Sequence, residues 1–168
     1  MWTATEAVSG ATIMPLRKRT RTNPEKFSAD WLPLDENAEI EVSSEDPEWP
    51  IEGALLQETT RGWRAAHVGA QSLRIHFDQP QALRTIHLEF EETEQERLQE
   101  FALQWSDDGG RTFRPIVRQQ FSFSPAGATR EVEHYAVDLM GVTDVLLHVT
   151  PDVSHRPAVA SLAALRLR

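Results

Sequence analysis

The residues best suited to chemistry fall in two short clusters. The first is Arg61-Gly62-Trp63-Arg64-Ala65-Ala66-His67-Val68-Gly69. It brings a large aromatic, two guanidiniums and an imidazole into one glycine-flanked stretch. Sugars lay an apolar ring face on an aromatic while charged groups take their hydroxyls, so Trp63, Arg64 and His67 are the candidate ligand-binding residues. Arg97 is a fourth candidate, with a second reading in which it braces the neighbouring acidic loop through local ion pairs. Trp63 also has a second reading, as a plug at one end of the fold, since tryptophan is usually largely buried. An exposed Trp63 favours a ligand pocket, and a buried one favours a protein partner.

The second cluster is Ser106-Asp107-Asp108-Gly109-Gly110-Arg111-Thr112-Phe113. It fits the Asp-box pattern S-x-D-x-G-x-T-F. The expected role is a hairpin stapled by its own side chains: Asp108 accepts hydrogen bonds from turn amides, Gly110 takes a positive φ, and Phe113 folds back onto the core. A single copy is a structural turn and implies no glycosidase.

Other chemistry is missing. The chain has no cysteine, which removes disulfides, thiolate zinc sites and a cysteine nucleophile. His76, His87 and His148 fall on the polar side of strand patterns, but no HxH or HxxxH spacing joins them, so no metal site is expected. The acidic run Glu89–Glu96 lacks the Asp/Asn/Gly alternation of a calcium loop. No phosphate-cradling glycine loop and no serine or threonine nucleophile motif appears. The expectation is a protein with no catalytic residues and no cofactor.

The elements that must position these clusters are strands. Leu73, Ile75 and Phe77 alternate with Arg74, His76 and Asp78, and Gln79-Pro80 ends that run. Ile86, Leu88 and Phe90 alternate with His87 and Glu89, and Phe101, Leu103 and Trp105 follow. Each run has the period of two that puts one face on a core and the other in water. Further strands are expected at 38–42, 116–123, 132–139, 145–149 and 158–167. Eight or so strands and no long amphipathic helix predict an all-β, antiparallel sandwich or barrel. Residues 1–30 read as an extended or poorly ordered arm and 31–168 as the single folded domain.

Charge restricts partners. Net charge is −9, and residues 1–26 carry five basic side chains against two acidic ones, leaving 12 basic and 24 acidic groups in the body. An acidic body repels phosphate backbones, so nucleic acid is not an expected partner; the Arg17–Arg21 cluster reads as a solvated tail. No run of ~18 apolar residues is present, so no membrane partner is expected, and Met1–Ala11 lacks the pattern of a signal peptide. The expected location is cytoplasmic.

Taken together, Trp63, the strands Gly69–Phe77 and Leu83–Phe90, the segment Gln104–Gly110 and the terminal run Ala160–Leu167 resemble the galactose-binding-like β-sandwich superfamily. That group includes the discoidin, or coagulation factor V/VIII type C, domains and several carbohydrate-binding modules. The resemblance covers about residues 38–168. It implies a jelly-roll sandwich acting as a non-catalytic binding module, with a carbohydrate bound by loops at one end. The alternative is a protein–protein interaction domain with no sugar ligand, because one sandwich hosts many ligands. The segment Leu55–Gly69 is also similar to the N-terminal domain of a scaffold protein of DNA single-strand-break repair, which works through protein contacts. Many relatives hold a structural calcium beside a D-G-x-x-x-T-x-W loop. Here that stretch reads Ile51-Glu52-Gly53-Ala54-Leu55-Leu56, apolar where ligands are wanted.

Overall fold

The computed structural model describes residues 31–59 and 61–168, so the expected arm at 1–30 lies outside the described residues. Two single-turn helices, α1 (Leu34–Asn37) and α2 (Glu52–Leu55), accompany eight strands: β1 (Ala38–Val42), β2 (Trp63–Val68), β3 (Gln71–Glu91), β4 (Arg97–Ser106), β5 (Arg114–Phe123), β6 (Arg130–Thr150), β7 (Val159–Leu162) and β8 (Ala164–Leu167). All pairings are antiparallel. Among the described residues no helix is long and apolar enough to cross a membrane.

The expectation that Gln79-Pro80 ends a strand is corrected. β3 runs through it, because Pro80 is exposed at a bend where the register with β6 shifts between His76 and Gln81. A proline is tolerated where ladder hydrogen bonding is already interrupted. β6 bends opposite, at Gly141, whose φ is 68°. The two runs expected at 132–139 and 145–149 are therefore one strand.

These two bent strands build both layers. The first half of β3 pairs with β1 and with the second half of β6, which continues the sheet to β4 and β5. The second half of β3 pairs with the first half of β6 and with β8. Leu73, Ile75, Leu103 and Leu147 face Ile86, Leu88 and Leu165 across the core, all nearly inaccessible. Each such side chain contributes roughly 1.5–3 kcal/mol by leaving water. Phe90 stacks on Phe101 with ring centroids 5.3 Å apart, tying one layer to the other.

The register also sorts the loops by end. One end gathers the segment after β1, the β3–β4 loop and the β6–β7 loop. The other gathers the bends of β3 and β6 and the β4–β5 turn, which is the Asp box.

Candidate functional site

The Asp box forms the stapled turn expected of it. Ser106 Oγ donates to Asp108 Oδ1 at 2.7 Å, and Asp108 accepts from the amides of Arg111 and Thr112 at 3.0 Å each. Thr112 Oγ1 adds a bond of 2.6 Å. The Thr112 and Ser106 hydroxyls and the Thr112 amide hold the Asp108 carboxyl far below the usual range. Gly110 has φ 78°, and a Cβ there would lie 2.1 Å from Arg74 Nη2. Phe113 differs from expectation: it is half-buried outside the core, with the Arg74 guanidinium 5.9 Å from its ring. Arg74 instead serves Asp144, which accepts from it at 2.8 Å and lies 2.9 Å from His76 Nδ1.

The opposite end is open. A cleft of about 690 Å³ lies there, walled by Trp49 and β2 on one side, the Glu91–Gln95 loop on the other, and residues 157–163 beneath. Its position follows from β2. Residues 63–68 form a strand paired with β7, Trp63 opposite Leu162 and Arg64 opposite Ser161. Successive strand side chains point to opposite faces, so Trp63 and Arg64 cannot share a face. Trp63 points inward, 2% exposed, and its Nε1 donates to the Ser44 carbonyl at 3.2 Å. Arg64 points outward into the cleft. The expectation of Trp63 as an open stacking platform is therefore corrected: its ring belongs to the core and supports the cleft from behind.

The accessible ring is Trp49. The loop carrying it is strapped along β2: Arg64 N donates to the Trp49 carbonyl at 3.1 Å, and Asp46 N donates to the Arg64 carbonyl at 2.9 Å. The guanidiniums of Arg61 and Arg64 each lie 4.8 Å from the Trp49 ring centroid. Gly62 lies between them in sequence, with φ 74° and no room for a Cβ, which would meet the Leu162 carbonyl at 2.8 Å. Gly53 is equally confined, since its Cβ would sit 2.3 Å from the Gly62 carbonyl.

His67 is exposed at the irregular end of β2 and does not line the cleft. Arg97 does line it, but as structure. It is 3% exposed, pairs with Glu92 at 2.9 Å, and donates to the Val159 carbonyl and to Gln99. Burial lowers its pKa, with Glu92 opposing. Glu92 in turn accepts from the amides of Glu94 and Gln95 at 2.8 and 3.0 Å, which shapes the loop. The bracing role read for Arg97 is the one the geometry displays. Arg61 belongs to the cluster that the sequence marks out, whereas Trp49, Glu91 and Glu94 are not among the candidate residues. The only signal was Trp49 flanked by two prolines, and nothing local tied it to a cluster a dozen residues on.

Metal sites find no support. His76 and His148 lie on the outer side of the first layer, whereas His87 lies on the second and packs edge-on against His134 at 4.4 Å, so the three do not share a face. No group of three or more His, Asp or Glu among the described residues could hold a metal. The stretch 51–56 does not fit the calcium that the fold family implies, because its carbonyls are already claimed. Arg166 donates to those of Ala54 and, at 2.8 Å, Leu56. The Thr59 hydroxyl lies 2.9–3.1 Å from those of Glu52, Gly53 and Leu56. A side-chain cation and a hydroxyl organise this loop.

Comparison with known proteins agrees with the fold. No curated protein sequence matches the chain. Among solved structures, it is similar to a family 32 carbohydrate-binding module of Clostridium perfringens NanJ in complex with galactose. That pair shares 14% identity with a TM-score of 0.60, over 82% of this chain and 96% of the other. It is also similar to the C. perfringens module CpGH89CBM32-5 in complex with GalNAc-β-1,3-galactose, at 17% identity and TM-score 0.56, over 82% and 99% of the two chains. A pectin-binding carbohydrate-binding module gives 16% identity and TM-score 0.53, over 77% and 88%. At these identities the likeness is one of fold. Residues 39–145, more than half of the sequence, match the F5/8 type C domain family. The chain belongs to the F5/8 type C, or discoidin, domain family, a family of binding modules.

Proposed function

We propose that this domain is a non-catalytic carbohydrate-binding module whose ligand occupies the cleft beside Trp49. The observation that carries this reading is the cleft itself: a concave space of about 690 Å³ at one end of the sandwich, with an aromatic and two outward guanidiniums on one wall and carboxylates on the other. Sugars present hydroxyls that both donate and accept, and a cleft with guanidiniums on one wall and carboxylates on the other meets both. Arg64 is the residue retained from the sequence reading, with Trp49 and Arg61 beside it and Trp63 and Arg97 fixing the walls. The similar structures solved in complex with galactose and with GalNAc-β-1,3-galactose, and that of a module described as pectin-binding, support carbohydrate as the class. A second reading, a protein partner on the same end, is favoured by the burial of Trp63 and by Val68, 61% exposed on the cleft rim.

A glycan array with the full chain, followed by titration of any hit against Arg64→Ala, tests the choice. Carbohydrate binding lost in Arg64→Ala supports the first reading. A protein that binds no glycan leaves the second.

A further inference from the structure

The cleft is polarised, and its polarity points to a kind of sugar. On the β2 wall the polar side chains are Arg61 and Arg64, which can only donate; on the facing loop Glu91 and Glu94 can only accept. Among the described residues none of these four side chains forms an ion pair. Glu92, between the two free carboxylates, is already matched by Arg97 at 2.9 Å. The Trp49 ring is occupied as well, by guanidiniums 4.8 Å from its centroid. Such stacking holds the planar forks in place and leaves their N–H edges for an in-plane acceptor.

A neutral sugar matches this arrangement poorly. Its hydroxyls satisfy guanidiniums only as weak, uncharged acceptors, and the apolar face that would stack on Trp49 competes with two cations. A carboxylate matches the Arg wall with charge-assisted, bidentate geometry, which is shorter and roughly twice as strong as a neutral hydrogen bond. Hydroxyls elsewhere on the same ligand donate to Glu91 and Glu94, which would repel a second negative group. The match is therefore to one carboxylate and several hydroxyls, not to a polyanion.

Resting on the carbohydrate reading of the cleft, we propose that the preferred ligand is an acidic sugar, a uronic acid residue, with its carboxylate held between Arg61 and Arg64 and its hydroxyls directed to Glu91 and Glu94.

Isothermal titration of the full chain with a galactose oligomer carrying a single galacturonic acid residue and with an all-galactose oligomer of the same length provides the test. The acidic oligomer should bind roughly tenfold tighter or more, the gain expected of one charge-assisted pair. That preference should shrink as sodium chloride is raised. It should vanish in Arg61→Gln/Arg64→Gln, whose melting temperature should stay near that of the wild type because both side chains are exposed. Equal affinity for the two oligomers, or a preference that survives the double substitution, overturns the acidic-sugar proposal and leaves the carbohydrate reading standing. Binding of neither oligomer, nor of any glycan on the array, overturns both.

Discussion

Arginines and carboxylates crowd both ends of the sandwich, but the two ends differ in how they treat the exposed ones. At the Asp-box end they are matched to one another. Arg114 pairs with Asp107 at 2.9 Å, Arg74 with Asp144, and Asp108 with its own turn; among the buried atoms of the described residues Asp144 Oδ2 has no hydrogen-bond partner there. At the cleft end Arg97 is matched by Glu92 within the lining, but Arg61 and Arg64 on one wall and Glu91 and Glu94 on the other form no ion pair among the described residues. Matched groups close a turn and fix its shape. Separated ones leave a cleft whose polar demand is met from outside. The difference divides structural charge from binding charge within one domain, and it can be challenged by substitutions at each end.

The largest expected effect comes from the two tryptophans. Trp63→Ala empties a core position and should cost about 3–5 kcal/mol. Trp49→Ala should cost only about 1 kcal/mol, the scale of an exposed cation–π contact, yet abolish ligand binding. Urea denaturation with a glycan titration of each variant checks both. Equal stability losses would erase the distinction between core ring and cleft ring.

The next effect concerns the loop behind the cleft. Arg166→Met removes the guanidinium donor of the Ala54 carbonyl and one of the donors of the Leu56 carbonyl, and should cost about 1–3 kcal/mol. Because Arg166 supplies the cation there, neither millimolar calcium nor EDTA should move the melting temperature of the wild type. A clear rise with calcium would show that the 51–56 stretch binds the ion after all.

The smallest effect is at the Asp-box end and depends on pH. The Asp108 pKa is depressed in the folded state by the Thr112 and Ser106 hydroxyls. Its contribution is therefore present above the unfolded carboxyl value of about 3.9 and is lost as pH falls toward the folded value. Thermal melts of wild type and Asp108→Asn should differ by a constant amount from neutral pH down to about 5 and converge below about 4. Ligand affinity at neutral pH should be the same in both. A gap that widens in acid would reverse the sign of this account.

Much of this was legible in the residues. Alternation located the core faces of β3 and β4, and the Asp box announced its own turn, because both are encoded locally. Pro80 misled, since a proline ends a straight strand but is accommodated at a bulge in a bent one. The cluster at 61–69 stands out by residue type, but type and spacing alone suggest side chains that converge. Seen as a strand, it sends Trp63 inward and Arg64 outward. Trp49, Glu91 and Glu94 reach the cleft only through long-range pairing, of β2 with β7 and of the β3–β4 loop across the end of the sandwich. No local spacing records that. Arg166 at the loop carbonyls is separated from them by the whole fold.

The central claim is that the ligand enters at the Trp49 end. The most direct test is an amide NMR titration of the isotope-labelled full chain with the glycan it binds most tightly. Shift changes confined to 61–64, 91–95 and 157–163, with the Trp49 indole among them and 106–113 silent, are the predicted result. Changes centred on the Asp-box end, or none near Trp49 at saturation, would contradict the account.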